Sequence, residues 1–456
     1  MTPSTPISGE RGLAPRELQL RTGAWYGDYV WRAAIPPSWN VDVFTPRAGK
    51  PLTDAQIRER LEAPDGQPPI RELCRGKTRP VVIVDDLNRP TPAWRVMPAL
   101  LRQFKDAGIS PHDVGIVVAS GTHGLPPIDA FAKKVGKEAA TLCRLYVHDC
   151  DRNLINLGRT SFGTPVLVNR HVVDSDFLVG IGGLYPNHSA GFGGGSKLAL
   201  GVLGFRSIAG LHYGHKSMGW GASNSLSSTF RRDLDEIAQL IGLNTTVSIL
   251  LNADRDAVEL RCGDHSTYYA DLLDSAREAY RAPSPHQDTD VVISNAFPED
   301  LSLTFARMKA FHLLDAAPRH ASRIAIASCS EGLGFHALFP FMNAPKYHRQ
   351  RMNIMHVRML LGKPDILARR VFRRLARQVD SRRGASTPAR STRNPIWLFR
   401  PDLADTAHLP ALPAEIPGIR VTSSWDEVIE GVSREQGFDA GLRVVIYGCA
   451  SMQWLG

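Results

Sequence analysis

Three clusters of chemically capable residues follow short apolar runs. The octapeptide Asp85-Asp86-Leu87-Asn88-Arg89-Pro90-Thr91-Pro92 follows residues 81–84. Arg89 is suited to clamp a carboxylate or phosphate through two nitrogens, and Pro90 and Pro92 stiffen the backbone beside it. The same residues also suit an Asp–Arg pair capping a helix start. The tetrapeptide Ser120-Gly121-Thr122-His123 follows residues 114–119. An imidazole there suits general acid/base work, although a lone histidine is more often structural. The stretch 185–197, YPNHSAGFGGGSK, follows residues 177–181 and holds four glycines. Glycine costs backbone entropy, so such density implies close approach to something flat or charged. Lys197 stands where it could bind or covalently hold that object. A mobile surface loop is the plain alternative.

The glycine stretch is not a P-loop, because Ser196-Lys197-Leu198 stands where Gly-Lys-Ser/Thr is needed, and its spacing also fails the dinucleotide pattern. His212 and His215 lie downstream; imidazole binds metals, but two histidines three apart are weak evidence alone. His148-Asp149 suits a structural hydrogen-bonded pair.

The elements that must position these groups alternate between β-branched runs and helical stretches. Strands are expected at 81–84, 114–119, 177–181, 247–251, 291–294, 324–328 and 444–447, and helices at 93–107 and 230–241. This alternation predicts an α/β protein with mainly parallel sheets flanked by helices. Ligands in such sheets gather at the carboxyl ends of strands, so all three clusters should line one crevice. The expected organisation is a disordered tail at 1–20 and an N-terminal domain at 21–280, which the resemblance given below makes a cofactor-binding domain. A Pro-rich linker at 281–289 leads to a C-terminal α/β domain at 290–456, with the active-site cleft between the two domains.

With 456 residues, 43% hydrophobic and 22% charged, the chain reads as a soluble globular protein. No apolar run is long enough to span a membrane, and the N-terminus lacks the order of a secretory signal. Six scattered cysteines without a CxxC suit a reducing cytoplasm. Much of the +9 net charge falls in a basic insertion near 346–394. Such a stretch is usually a solvated face, which argues against a nucleic-acid partner; RNA, acidic lipid or an acidic protein are the alternatives.

Taken together, the clusters resemble the nickel-pincer-nucleotide-dependent lactate racemase family. DDLNRPTP at 85–92 resembles its D-x-T-R-P-T-P element, and SGTHGLP at 120–126 its GTH element. HDC at 148–150, GTPVLVNR at 163–170 and the loop at 185–197 resemble its central block, and SEGLG at 330–334 a C-terminal element. The order of these motifs is more specific than any one of them.

The resemblance implies a racemase or epimerase of a 2-hydroxy acid, working by reversible hydride transfer. The implied cofactor is a pyridinium mononucleotide whose two sulfur arms grip Ni(II), joined covalently to Lys197. Asp86, Leu87, Asn88, Arg89 and His212 would contact it, with His212 as nickel ligand. The chain is one residue shorter than the family between Lys197 and Gly204, so His215 is the alternative ligand. Arg89 and Lys309 would bind substrate, and His123 would be one of two bases. The family's second base falls on Asn187, leaving His188, displaced by one, as the other candidate. A family glutamine is Ala306 here, and a threonine of the acidic turn is Asn88. The cofactor groups are thus kept while substrate-facing groups differ, which implies a substrate other than lactate. The alternatives are an oxidoreductase of a hydroxy acid or sugar using the same cofactor, or a non-catalytic binding homologue. The implied partners are a small 2-hydroxy acid and the host's cofactor-synthesis enzymes.

Overall fold

A computed structural model describes residues 17–47, 49–125, 127–221, 226–338, 393–401, 410, 412–413, 415–437 and 441–456. The basic insertion lies almost wholly outside these residues.

Two mainly parallel sheets organise the chain. The first has six strands in the order Ala257–Gly263, Leu243–Leu251, Phe177–Gly183, Pro80–Asp85, Gly115–Ala119 and Arg144–Val147. Only its first pair is antiparallel. Its central strands are near-continuous apolar runs because both faces are covered. Val81, Ile83 and Val117 enter one core cluster, while Val82, Val84, Ile116 and Val118 enter another, as period-two alternation requires. The helix Ala93–Asp106 lays Val96, Met97, Leu100 and Phe104 against the second cluster, and Thr229–Leu240 lays Leu234, Ile237 and Ala238 against the first.

The second sheet runs Glu415–Ile416, Ile419–Thr422, Ile396–Phe399, Ser322–Ile326, Val291–Asn295, Arg443–Tyr447 and Asn40–Phe44. Again only the first pair is antiparallel. Its edge strand, Asn40–Phe44, comes from the N-terminal part of the chain. Part of the chain expected in the first domain therefore completes the second sheet. Glu17–Thr22 is also a strand, paired with Tyr29–Ala34 and burying Leu18 and Leu20. Regular structure thus begins inside the expected tail, because alternating leucines give that segment a face to bury. The expected linker opens with Arg281–Ala282 paired to Trp454–Leu455.

Beyond the strand ends, Asp300 fastens the N-terminal hairpin to the second sheet, and a backbone bond from Ala337 joins the segments that follow the two sheets. Asp300, just beyond Val291–Asn295, accepts from Thr22 Oγ1 at 3.0 Å, Gly23 N at 2.8 Å and Ala24 N at 3.2 Å. Ala337 N donates to Thr122 O at 2.8 Å. No helix among the described residues is long and apolar enough to cross a membrane.

Candidate active site

A cavity of about 350 Å³ opens where the strand ends meet. All three clusters reach it: Asp86 and Arg89 from the first, His123 from the second, Asn187, His188 and Lys197 from the third. His212 lines it as well, and Lys309 and His336 enter from the side of the second sheet.

The acidic turn is held from beneath. Lys134, fully buried, donates to Asp85 Oδ1 at 2.7 Å, Arg89 O at 2.7 Å and Thr91 O at 3.1 Å. Thr91 Oγ1 donates to the other Asp85 oxygen at 2.5 Å. Asp85 is therefore committed to structure, and Asp86 turns to His123. Asp86 Oδ2 lies 2.8 Å from His123 Nδ1 and accepts from Asn88 Nδ2 at 2.7 Å. Burial alone would raise the Asp86 carboxyl, but His123, Arg89 and Asn88 together hold it below its ordinary value. A carboxylate on Nδ1 orients the imidazole and leaves Nε2 as the proton acceptor. Phe305 packs edge-on against the His123 ring at 4.7 Å.

Arg89 does not cap the following helix, which has no side-chain cap bond. It pairs instead with Glu299, Nη1 to Oε1, at 2.8 Å. Burial works against the guanidinium's charge, but Glu299 outweighs it and raises its proton affinity. Lys309 Nζ lies 3.3 Å from the other Glu299 oxygen, and burial pushes that amine down to about 8.

Lys197 sits on the cavity wall with part of its surface open. Burial pushes its amine well below the usual lysine value, and Arg89, Lys309 and Arg231 add like-charge repulsion. Among the described residues no carboxylate lies within ion-pair distance of its nitrogen. The glycines before it serve the loop's own packing more than a ligand. A Cβ on Gly193 would stand 2.9 Å from Gly183 O, and one on Gly195 would stand 3.0 Å from the Tyr269 ring. Gly194 and Gly195 also adopt φ of +72° and +55°, which favours glycine. Beneath the loop, fully buried Arg231 donates to Gly194 O at 3.0 Å, Phe192 O at 2.8 Å and Tyr269 OH at 2.7 Å. The loop is braced, which answers the alternative of a mobile surface segment.

The two candidate metal-binding histidines part company. His212 faces the cavity, with Nδ1 2.8 Å from Ile208 O, which makes Nε2 the basic nitrogen. Burial pushes it down to about 4, so it is neutral near pH 7. His215 turns away: its Nε2 is 2.7 Å from buried Asp233 and its Nδ1 3.0 Å from Thr229. Leu87, expected at the cofactor, is instead in the hydrophobic core. Asn88 reaches the site through Asp86 and lines a neighbouring hollow. His148 is buried and structural, but its partners are Leu203 O at 2.8 Å and Asn169 Nδ2 at 3.1 Å rather than Asp149.

At the expected second base, Asn187 Oδ1 accepts from Ser189 N at 3.0 Å and Ala190 N at 3.1 Å. It closes the tight turn that pairs Asn187 with Gly191. An amide so engaged is a turn former and carries no base. His188 stands exposed at the cavity mouth, 3.0 Å from Ser217 Oγ.

Among the residues of the site that escaped the sequence reading are Lys134, Arg231, Glu299 and His336. Glu299 was readable, since Pro298-Glu299-Asp300 is one more polar cluster after a strand. Lys134 and Arg231 lie on helices and carry no local sign of burial. His336 Nδ1 accepts from Leu338 N at 3.2 Å, and its ring is 5.1 Å from that of His123.

Residues 26–222 match the lactate racemase N-terminal domain family. The chain is 22% identical over 329 residues to a lactate racemase of Lactiplantibacillus plantarum, covering 70% of this chain and 76% of that protein. It is 23% identical over 303 residues to a lactate racemase of Thermoanaerobacterium thermosaccharolyticum, covering 65% and 71%. Among solved structures, the lactate racemase apoprotein of T. thermosaccharolyticum superimposes with a TM-score of 0.65 at 17% identity, over 96% of this chain and all of that one. A Thermotoga maritima protein does so with a TM-score of 0.55 at 17% identity, over 90% and 99%. At such identities the structural likeness speaks for the fold.

Proposed function

Because the chain is a homologue of the lactate racemases, we propose that it is a racemase or epimerase acting on a 2-hydroxy acid. The observation that supports this most is convergence. His123 with Asp86, the anion-binding Arg89 and Lys309, the depressed Lys197 amine and neutral His212 all line one cavity. A binding module has no need of that set.

The residues present fit a lysine-tethered nickel-pincer nucleotide. Covalent attachment needs an amine with its lone pair available, which the depressed proton affinity of Lys197 supplies. A metal ligand needs a neutral, oriented imidazole, which burial and Ile208 O give His212. When bound, such a group supplies a reversible hydride acceptor for the substrate's α-carbon.

The protein's own groups do the rest. Arg89 and Lys309 hold the substrate carboxylate. His123 Nε2 takes the hydroxyl proton and returns it, while the Asp86 carboxylate stabilises the imidazolium in between. Phe305, packed edge-on against His123, steadies the ring. Of the other histidines lining the cavity, His212 would hold the nickel and His336 lies beside His123, which leaves His188 at the mouth as the candidate second base.

A second reading, net oxidation of a hydroxy acid or sugar, draws support from Asn187. With its oxygen tied to the turn, one face of the site has no base at the expected position, and net oxidation needs only one. The test is to give cofactor-loaded enzyme single enantiomers of α-deuterated 2-hydroxy acids. Interconversion with deuterium retained is the expected result. Accumulation of a 2-oxo acid that depends on an added two-electron acceptor to take the hydride from the cofactor would favour the oxidoreductase. No turnover across a broad panel, with or without that acceptor, would sink both.

A further inference from the structure

Among the described residues, Glu299 is a buried carboxylate beside the cavity to which neither the acid/base pair, the cofactor groups nor the bracing of the acidic turn assigns a task. It has no exposed surface. Its two oxygens are shared between two cations, Arg89 Nη1 at 2.8 Å and Lys309 Nζ at 3.3 Å. The Lys309 contact is not aligned as a hydrogen bond, and the buried Lys309 nitrogen has no other hydrogen-bond acceptor among the described residues. A buried ammonium that lines a cavity with donors to spare calls for an anionic or carbonyl ligand. Trp220 and Tyr185 face it with their rings, at 5.2 and 5.8 Å.

We propose that Glu299 is a positioning residue that locks the Arg89 guanidinium and the Lys309 ammonium into one anion-binding pair, presented to the carboxylate of a 2-hydroxy acid. The assignment of that anion rests on the function proposed above. The physical reason is charge balance. Among the described residues, the titratable groups around Lys309 are Glu299, Arg89, Lys197, His188, His312 and Tyr185. Only Glu299 favours its charged form at neutral pH; Arg89 opposes it. Without Glu299 two buried cations would face each other, and the lysine is the one able to lose its proton. With it, the pair carries one net positive charge, and a single substrate carboxylate neutralises it.

The test reads the lysine directly in the full-length chain. Lysine labelled with ¹³C at the ε carbon is followed by NMR from pH 6 to 10, with Lys309 assigned by its loss in Lys309→Met. The wild-type midpoint is expected at about 8. Glu299→Gln should lower it by about one pH unit, and Glu299→Asp should keep it nearer the wild type. An unchanged or raised midpoint in Glu299→Gln overturns the proposal. Should that variant not fold, Arg89→Met reads the same balance from the other side. The midpoint should then rise, and a midpoint that stays or falls overturns the proposal. In loaded enzyme, Glu299→Gln should raise KM about tenfold at pH 8 and less at pH 6, where Lys309 stays charged. A fall in kcat with KM and its pH profile unmoved would mark Glu299 as merely structural. If the midpoint moves while no 2-hydroxy acid is turned over, Glu299's role stands and the proposed substrate class falls.

Discussion

In the proposed mechanism acid/base chemistry rests on His123 and Asp86, and their roles differ. His123 would touch the substrate; Asp86 acts through it, holding Nδ1 at 2.8 Å. Asp86→Asn keeps the shape but offers an amide to the ring, so the tautomer is no longer fixed and the imidazolium loses its counter-charge. Steady-state kinetics of the loaded variant should show kcat lower by about a hundredfold or more, with KM little changed. Equal losses in both would point to a collapsed pocket instead. At this scale the sequence was most legible where a polar cluster follows a buried strand: Asp86, Arg89, His123 and, further along its loop, Lys197 all belong to such clusters and all reach the cavity. It was least legible where a side chain's partner is remote in sequence. Glu299 meets Arg89 across 210 positions, and neither residue's neighbours announce the other. His212 and His215 could not be separated by spacing. The helix Phe205–Gly214 ends just before His215, and that end turns the two rings apart.

The glycine loop is an element whose shape is set from below. Arg231, on the helix Thr229–Leu240, reaches up to the carbonyls of Gly194 and Phe192, and Tyr269 OH donates to Gly193 O at 2.6 Å. Tight contacts with the neighbouring strand and the Tyr269 ring require the missing Cβ atoms. The density of glycine was thus readable as close approach, while the object approached is chiefly the protein itself. Arg231→Met removes the brace and leaves buried acceptors unpaired. It should cost about 3 kcal/mol in thermal or denaturant unfolding and raise amide exchange in residues 191–197. Unchanged exchange there would show that the strand contacts hold the loop alone. The helices at 93–107 and 230–241 were legible to within a residue because each lays a long apolar face on the first sheet.

At the scale of the molecule, the site exists because the carboxyl ends of two sheets meet. The first sheet brings His123, Lys197 and Arg89; the second brings Glu299, Lys309 and His336. Linear domain boundaries did not capture this, since Asn40–Phe44 pairs with Arg443–Tyr447, a contact no local pattern encodes. Stability should also carry a pH signature of the whole fold. His148 is buried, and burial pushes it down to about 4 from an ordinary 6.5. The unfolded chain therefore binds the extra proton first. The stabilisation is complete above about pH 6.5 and is lost as pH falls toward 4. It is worth roughly 3 kcal/mol for this group. Urea midpoints measured from pH 7 to 4 should fall accordingly, and His148→Gln should flatten that slope. A slope unchanged by the substitution would assign acid sensitivity to other groups. His312, also pushed down to about 4 by burial, acts in the same direction.

All three scales meet at Lys197, whose depressed amine, braced loop and place at the strand ends make it the proposed point of cofactor attachment. Intact-mass measurement of the full-length chain, co-expressed with enzymes that make the pincer nucleotide, tests this most directly. The account predicts a cofactor-sized mass increase on the wild type and none on folded Lys197→Ala. An increase that survives the substitution, or a wild type that stays at its unmodified mass while a lactate racemase loaded in parallel gains one, would contradict it.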